Sequence, residues 1–419
     1  MTSEAVPQTA SLVTVLALPR FAGRAVLTEE DLTDLPAIEP VKPAGIEHLL
    51  VVSPNWLGDA IMALPSIADL RRAFPGARLT VAARRAIAGL FTMSPLVDEV
   101  IAMQWSGRIW ARRARLADIE TLRTARADAS VLLPNSFASA WLVRSAAIPE
   151  RWGYATDMRQ RLLSRAVSRP VIRVHQAEYY RRLIKGLGFE NGPVDPQLVV
   201  PGRAVEQARA ALRAAGWVED RPFIVMAPGA AYGGAKRWPA EHFADVATRL
   251  AREHGMQCVL VGSTADAATT RWVRALVSDD GQGSVVDLAG STTLETLAGV
   301  LSIARACVSN DSGAMHLAGA VGVPLAALFG PTRERETAPL SRKGGRIEVM
   351  INHVWCRPCM LRECPLDHRC MKRLSSERVL ATITDLMTNP EPRTPSLDEA
   401  RDALSVSRRA NPESRERDE

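Results

Sequence analysis

The sequence lacks the long apolar runs of a membrane protein. No stretch of about eighteen apolar residues occurs, so no membrane-spanning helix is predicted. The apolar patch at residues 11–18 has no basic segment before it, which argues against a secretory signal. We therefore expect a cytoplasmic protein.

The sequence also lacks motifs that bind metal ions, nucleoside triphosphates or nucleic acids. No Asp-x-Asp pair stands in a suitable context, and the loop at 227–239 lacks the Gly-Lys-Ser/Thr spacing of a Walker loop. No RNA- or DNA-binding motif accompanies the positive charge of the chain. We therefore predict no metal, no other cofactor and no nucleic-acid partner.

What is present is the composition of a two-domain globular protein with excess positive charge. The 419 residues are 47% hydrophobic and 23% charged, enough to bury two cores. The formal net charge of +6 suits nucleic acid, a phosphorylated small molecule or an anionic membrane face. The cations at 108–115 alternate with Trp105 and Trp110, and they are either solvated surface or a contact with lipid headgroups.

The chain divides into two similar halves between irregular ends. Residues 1–45 are acidic and aperiodic, so we expect a poorly ordered extension; 389–419 should be a disordered tail with a short helix at Ser396–Leu404. Strand candidates alternate with helical segments on both sides of a proline-rich connection at 191–196, beginning at His48, Arg78, Glu99, Ala129, Phe223, Cys258, Val285, Ala306 and Leu325.

This alternation predicts the fold class. It is α/β, with two Rossmann-like, doubly wound domains at 46–200 and 201–388, and the last helix could pack back on the first domain. Ligands of such folds bind at the carboxyl ends of the strands, here in a central cleft between the domains.

The turn Ser53-Pro-Asn-Trp-Leu-Gly-Asp59 follows the first strand and carries the first functional candidate. Asp59 opens the next helix, where an Asp is usually only a cap. The turn also lies at the carboxyl edge of its strand and faces the presumed cleft. There the Asp59 carboxylate could deprotonate an acceptor hydroxyl.

Two loops of the second half predict an anion site. The loop at 227–239 combines three glycines with Lys236, so that backbone N–H groups and an ammonium can face phosphate. The segment at 309–316 enters a helix through Asn310, Asp311 and Ser312, which are either simple capping residues or the seat of a pyrophosphate. His316 follows one turn later, and a lone His is more often structural.

These motifs, in this order, resemble glycosyltransferase family 9 over residues 48 to 385. The matching segments are most similar to the heptosyltransferase II branch of the family, and they are Ser53–Asp59, Leu133–Phe137, Arg151–Tyr154 with Met158 and Arg159, Pro228–Pro239, Asn310–His316 and Gly330–Thr332.

The resemblance implies a GT-B fold, with the acceptor on the first domain and the nucleotide sugar on the second. It implies inverting, metal-independent transfer of heptose from ADP-heptose to the inner core of lipopolysaccharide, with an acceptor of the heptosyl-Kdo2-lipid A type. A protein of this kind would work in the cytoplasm and touch the inner-membrane surface transiently.

Site residues follow from the same resemblance. It implies Asp59 as the general base, with Asp311 placed for heptose hydroxyls. The other donor residues would contact diphosphate, ribose or adenine, and they are Gly229, Ala230, Ala231, Lys236, Asp266, Thr292, Ser312, Gly313 and His316. The acceptor residues would be Asn55, Trp56, Asn135, Ser136, Arg151, Arg159 and Arg161. Ala231 and Tyr232 depart from the family pattern, which has an acidic–aromatic pair there.

Four cysteines lie close together near the end of the second half. Cys356, Cys359, Cys364 and Cys370 either form a structural metal site or are reduced packing residues, the second being favoured. Other functions also stay open, namely a family 9 transferase for another sugar or acceptor, a GT-B-fold nucleotide-sugar epimerase, and a non-enzymatic basic protein that binds a membrane surface.

Overall fold

The computed structural model describes residues 45–104, 111–277, 283–342 and 345–388. The predictions for the N-terminal extension up to residue 44, for Trp105 and Trp110, for the basic residues before Ala111 and for the C-terminal tail lie outside the described residues. Within the described part, the chain forms two six-stranded sheets, and every strand pairing recorded in them is parallel.

The first half forms a sheet in the order β3-β2-β1-β4-β5-β6. Its strands are β1 His48–Val52, β2 Arg78–Arg84, β3 Glu99–Met103, β4 Ala129–Leu132, β5 Glu150–Tyr154 and β6 Arg165–Val167. Its helices are α1 Leu57–Met62, α2 Leu64–Ala73, α3 Arg85–Phe91, α4 Arg112–Ala125, α5 Phe137–Ser145 and α6 Gln176–Gly186. All five residues of β1 are buried, as expected for a central strand covered on both faces.

The second half repeats this plan in the order β12-β11-β10-β7-β8-β9. Its strands are β7 Phe223–Ala227, β8 Gln257–Leu260, β9 Val285–Asp287, β10 Ala306–Asn310, β11 Leu325–Phe329 and β12 Ile347–Ile351. Its helices are α7 Gly202–Ala214, α8 Ala240–His254, α9 Ala267–Leu276, α10 Leu294–Ile303, α11 Gly313–Val321, α12 Glu334–Thr337, α13 Arg369–Lys372 and α14 Ser376–Thr388.

The strand order places the functional loops. In both sheets the chain reverses its direction of winding between two adjacent central strands, β1 beside β4 and β10 beside β7. Loops that leave the carboxyl ends of such strands diverge and open a crevice, which is where open α/β sheets bind ligands. The turn before Asp59 and the loops before Lys236 and Ser312 all leave strands at these edges.

The expected α/β architecture of two doubly wound units is confirmed, and each of the nine predicted strands is present. The sequence reasoning missed β5, β6 and β12. The segment from Arg151 to Arg161, which supplied acceptor candidates, begins inside β5, where Trp152 and Tyr154 are buried. The signal was weak because arginine and glycine interrupt the apolar residues of this strand.

The two halves pack against each other. One core cluster of buried apolar residues contains Leu49 and Ile61 of the first half together with Val225 and Met315 of the second. Polar contacts add to it: Thr92 Oγ1 donates to Glu295 at 2.6 Å, and the ring Nε2 of His175 lies 2.9 Å from the Ala338 carbonyl oxygen. Helix α1 also packs directly on helix α11.

The last described helix does not follow the expectation that it returns to the first domain. Helix α14 packs on α8, β10 and β11 of the second half. Val379, Leu380 and Ile383 supply its buried face and join the core on the outer side of the second sheet. No helix among the described residues is long and apolar enough to cross a membrane.

Candidate active site

Asp59 lies in the first turn of α1, at the boundary between the halves. Trp56, not Asp59, is the N-cap residue of this helix. Burial raises the pKa of the Asp59 carboxyl; Lys236 opposes the shift and Asp311 adds to it. Asp59 is therefore not the N-cap of α1, and the charges of Lys236 and Asp311 both act on its carboxyl.

Lys236 and Asp311 form an ion pair inside this site. The Lys236 Nζ lies 2.6 Å from Asp311 Oδ2, and the two side chains are only 12% and 5% exposed. The Thr332 hydroxyl donates to the same Oδ2 at 2.6 Å. Both interactions use Oδ2, so neither of them engages Oδ1. Pairing and hydrogen bonding offset the cost of burying the carboxylate.

Asn310 closes the loop that carries Lys236. Its Nδ2 donates to the Pro228 carbonyl at 2.7 Å, and its Oδ1 accepts from the Trp238 backbone N–H at 3.1 Å. One buried side chain thus holds both ends of the loop at 228–238. The sequence indicated a capping residue or part of a pyrophosphate seat at Asn310, and its role in closing the loop was missed.

The first part of that loop lies against the residue predicted near the ribose. A β-carbon added to Gly229 would lie 2.3 Å from the Asp266 carboxylate carbon, which shows how closely Asp266 approaches the loop. Asp266 Oδ2 accepts from the Ser263 N–H at 2.9 Å and the Ser263 hydroxyl at 2.7 Å. Ala230 is buried, whereas Ala231 is exposed.

The last part of the loop is not available to phosphate as we expected. The Gly234 N–H donates to Glu363 Oε1 at 2.9 Å, and the Ala235 N–H donates to the Arg362 carbonyl at 2.9 Å. The glycine N–H proposed for phosphate at this position is therefore already paired. The earlier positions from Gly229 to Ala231 stay candidates for the diphosphate.

Helix α11 begins directly beside Asp59. Its N-cap is Ser312, and the first-turn N–H groups of any helix lack partners within that helix. A β-carbon on Gly313 would lie 3.0 Å from the Leu57 side chain, so the starts of α1 and α11 meet closely. The positive end of the α11 dipole thus points into the same region as Lys236.

His316 contacts the first half through Gly58. A β-carbon on Gly58 would lie 2.6 Å from His316 Cδ2, a distance that only a glycine permits. Burial lowers the pKa of His316 to about 4; Asp311 opposes this shift, and His175 and Lys236 reinforce it. The imidazole is therefore neutral at pH 7, and its Nδ1 is buried with no hydrogen-bond partner among the described residues.

Thr292 is the remaining donor candidate, and its contact with adenine stays a prediction. It is partly buried in the loop between β9 and α10, at the same carboxyl edge as the other loops. Tyr180 of α6 was not identified from the sequence. Burial raises its pKa well above the usual value, and the nearby Asp59 charge adds to this shift.

Four acceptor candidates lie in loops at the carboxyl edge of the first sheet. Asn55 and Trp56 are exposed after β1, and Trp56 is 63% exposed. Asn135 Nδ2 donates to the Tyr179 hydroxyl at 2.9 Å. Ser136 caps α5 and accepts from the Ser139 N–H at 3.3 Å. Their contact with an acceptor stays a prediction.

Two of the three arginine predictions need correction. Arg159 is 0% exposed, and its guanidinium donates to the Tyr154 carbonyl at 2.9 Å and to Ser139 Oγ at 3.1 Å. Arg151 is the second residue of β5, at the amino end of the sheet, and it donates to backbone carbonyls, including that of Leu162 at 2.7 Å. Both side chains hold the first domain together, whereas Arg161 is exposed.

The cysteines are free thiols. Cys258, Cys307 and Cys370 are buried, and Cys356, Cys359 and Cys364 are partly exposed. Among the described residues, no three His, Cys, Asp or Glu side chains are grouped so that they could hold a metal ion.

Taken together, the site pairs a carboxylate of raised pKa with a lysine, a helix start and a backbone loop from the other half. This arrangement can accept a proton on one side and stabilise a leaving anion on the other. Two Rossmann-like sheets that share such a cleft form the GT-B fold, the fold of a class of glycosyltransferases.

Comparison with known proteins gives the family. A model described as Glycosyltransferase family 9 (heptosyltransferase) matches residues 115–369, more than half of the chain. The lipopolysaccharide heptosyltransferase 2 of Salmonella typhimurium is 34% identical over 318 residues, 73% of this chain and 89% of the relative. The chain belongs to glycosyltransferase family 9 and is an enzyme of that class.

Two further similarities support this assignment. The lipopolysaccharide heptosyltransferase 2 of Escherichia coli K12 is 31% identical over 354 residues, covering 82% of this chain and 99% of the relative. A solved structure described as that of E. coli ADP-heptose lps heptosyltransferase II superposes with a TM-score of 0.68 at 31% identity, covering 81% of this chain and 98% of the other.

Proposed function

We propose that this enzyme transfers L-glycero-D-manno-heptose from ADP-heptose to the inner core of lipopolysaccharide, with inversion and without a metal. The observation that carries the proposal is the close approach of α1, which holds Asp59, to the start of α11 beside the Lys236–Asp311 pair. The names of the relatives that are 31% and 34% identical supply the transferred heptose and the acceptor class, and the description of the E. coli structure supplies ADP-heptose.

In the proposed reaction, Asp59 takes the proton of the acceptor hydroxyl as its oxygen attacks the anomeric carbon of the heptose. The new bond forms on the face opposite the bond to ADP, which breaks, so the configuration inverts. The raised pKa of Asp59 makes its carboxylate a stronger base. Acceptor and donor would occupy opposite sides of the boundary between α1 and α11.

The leaving ADP carries the electron pair of the broken bond. Lys236, the backbone from Gly229 to Ala231 and the start of α11 would stabilise its diphosphate. We propose that these groups make a metal unnecessary for neutralising the charge. Neutral His316 and Asp311 Oδ1 lie beside Lys236 and would contact the sugar hydroxyls.

The test is a transfer assay with purified enzyme, ADP-heptose and heptosyl-Kdo2-lipid A, followed by mass spectrometry. We expect a mass increase of one heptose, unchanged by EDTA, with the product's anomeric configuration opposite to the donor's. Transfer from another nucleotide sugar but not from ADP-heptose would reject the donor. Free sugar released without any acceptor would favour an epimerase, and loss of activity in EDTA would reject metal independence.

We also propose transient contact with the inner-membrane surface, through loops at the carboxyl edge of the first sheet. Trp56, Phe137 and Met158 are 63%, 44% and 84% exposed there, beside the exposed cation Arg161. Exposed apolar side chains next to a cation suit the interface of an anionic bilayer. Sedimentation with vesicles should require anionic lipid. No sedimentation with anionic vesicles would reject this contact, and equal sedimentation with purely zwitterionic vesicles would reject the role of the cation.

A further inference from the structure

The segment at 353–370, which we call the cysteine segment, lies over the donor-side loops. Besides its contacts to Gly234 and Ala235, it accepts a hydrogen bond from the Tyr232 hydroxyl at the Met360 carbonyl, at 2.8 Å. The Met360 N–H donates to the Pro331 carbonyl at 3.0 Å. The segment therefore touches two separate loops, one that carries Lys236 and one that follows β11.

Arg357 is the buried cation of the cysteine segment. Its Nε donates to the Gly330 carbonyl at 2.6 Å, and its Nη2 donates to the Thr332 carbonyl at 3.1 Å and to Glu334 Oε2 at 2.7 Å. The side chain is only 7% exposed. A planar guanidinium can serve three acceptors in fixed directions, which a lysine ammonium on a flexible stem cannot match.

These contacts connect Arg357 with the Asp311–Lys236 ion pair through Thr332. Arg357 fixes the backbone on both sides of Pro331, and the Thr332 hydroxyl donates to Asp311 Oδ2. Asp311 in turn pairs with Lys236. Apart from Glu334, the side chains that form these hydrogen bonds and this ion pair are at most 12% exposed. Water can therefore replace few of these bonds.

We propose that Arg357 is a positioning residue of the donor site, acting through Thr332 on the Asp311–Lys236 pair. It holds the loop after β11 so that the Thr332 hydroxyl keeps Asp311 Oδ2 occupied. Oδ1 then keeps one orientation toward the cleft, and Lys236 keeps its ammonium where a diphosphate arrives. This assignment rests on the proposed use of a nucleotide-sugar donor, and it gives the cysteine segment a role that does not depend on its thiols.

The test compares Arg357→Lys and Arg357→Ala with Thr332→Val, which removes only the hydroxyl link. Arg373→Ala is the matched control, because Arg373 is an exposed arginine close by in the chain. Titration with ADP should show about tenfold weaker binding for Arg357→Ala and a smaller loss for Arg357→Lys. In the transfer assay the KM for the donor should rise, while the KM for the acceptor stays unchanged.

A double variant tests the route of the effect. If Arg357 acts through Thr332, Arg357→Lys combined with Thr332→Val should bind ADP no more weakly than Thr332→Val alone. Additive losses would overturn the proposed route. Unchanged ADP affinity in both Arg357 variants, or an equal rise of both KM values, would overturn the positioning role itself.

Hydrogen exchange of the ligand-free protein separates this inference from the proposed function. Arg357→Lys should speed amide exchange at 229–236 and 330–334, and Arg373→Ala should not. If the wild type binds no ADP but Arg357→Lys still exchanges faster, the nucleotide donor is rejected and the packing role of Arg357 is retained. Unchanged exchange would reject the inference even if heptose transfer is confirmed. Arg357→Lys keeps the charge, so it serves if Arg357→Ala does not fold.

Discussion

Two carboxylates and one lysine form the centre of the site at the residue scale. Asp59, Asp311 and Lys236 come from three loops that each leave the carboxyl end of a strand. Sequence reasoning could bring them together because strand order alone predicts which loops share an edge. It could not find Arg357, because its importance depends on loops 25 to 27 residues away that fold against it.

Asp59→Asn should abolish most transfer and stabilise the protein at neutral pH. Removing a general base typically costs about a hundred- to ten-thousandfold in rate. Because burial raises the pKa of Asp59 above its ordinary value of 3.8, ionisation costs the folded state more than the unfolded state. This cost is absent well below pH 3.8, grows as pH rises from 3.8 to the raised pKa, and is fully present above it.

The measurement is a set of melting curves from pH 4 to 8, with transfer rates at each pH. The variant should melt higher than the wild type near pH 8, and the two curves should converge towards acid. A variant that is less stable at every pH would indicate that Asp59 is a structural carboxylate. Retained transfer would assign the general base elsewhere.

His316 should make the protein acid-sensitive. Its pKa of about 4 in the folded chain lies below the usual 6.5, so protons bind the unfolded state more tightly. Stability should be fully present above pH 6.5 and fall as pH drops towards 4, by about 3 kcal/mol in total. His316→Gln should flatten this part of a urea-unfolding series, and parallel curves for both proteins would contradict a neutral imidazole.

At the element scale, the contact of α1 with α11 sets the geometry of the site. Sequence patterns predicted both helices and the loops before them, but not their closeness. Gly58 and Gly313 permit this approach, and a glycine in a turn gives no sign of which distant side chain it faces. The missed strand β5 shows the same limit, because its place in the sheet depends on pairing with β4 and β6.

Gly58→Ala should separate these helices. The added methyl group would lie 2.6 Å from His316 Cδ2, so His316 or α1 must move. Overpacking of this kind costs about 1–3 kcal/mol, and it displaces the adjacent Asp59. We expect a lower midpoint in urea unfolding and at least about tenfold slower transfer.

Gly202→Ala is the matched control for this substitution. Nothing lies within 4 Å of a β-carbon at Gly202, which begins α7. The same chemical change should therefore be neutral or slightly stabilising there. Wild-type transfer by Gly58→Ala would show that the precise approach of α1 to α11 is not needed for the reaction.

At the scale of the whole molecule, the halves share a core and a site. The buried cluster that contains Ile61 and Met315 is continuous across the boundary, and the contacts of Thr92 with Glu295 and of His175 with Ala338 reinforce it. The sequence predicted two units and the cleft between them. It could not predict how much apolar surface they bury together, since that depends on their relative orientation.

Scanning calorimetry should therefore show one cooperative transition for both halves. Unfolding of either half alone would expose the shared core, so the halves stabilise each other. ADP should shift the whole transition upward, because ligand binding to the folded state stabilises it by mass action. Two resolved transitions, with only one moved by ADP, would contradict this coupling.

The balance of charge around Asp59 should couple ADP binding to proton uptake. Among the described residues, the charges that act on Asp59 are those of the Lys236 ammonium and the Asp311 carboxylate, and the neighbouring imidazole is uncharged. A diphosphate that settles beside them adds negative charge, so it should be accompanied by proton uptake from the solvent. The calorimetric heat of ADP binding would then vary with the ionisation heat of the buffer. Bound donor would thereby raise the pKa of Asp59 further, which makes its carboxylate a stronger base but leaves it protonated over a wider pH range. The pH profile of the rate at saturating donor should therefore shift towards alkaline pH.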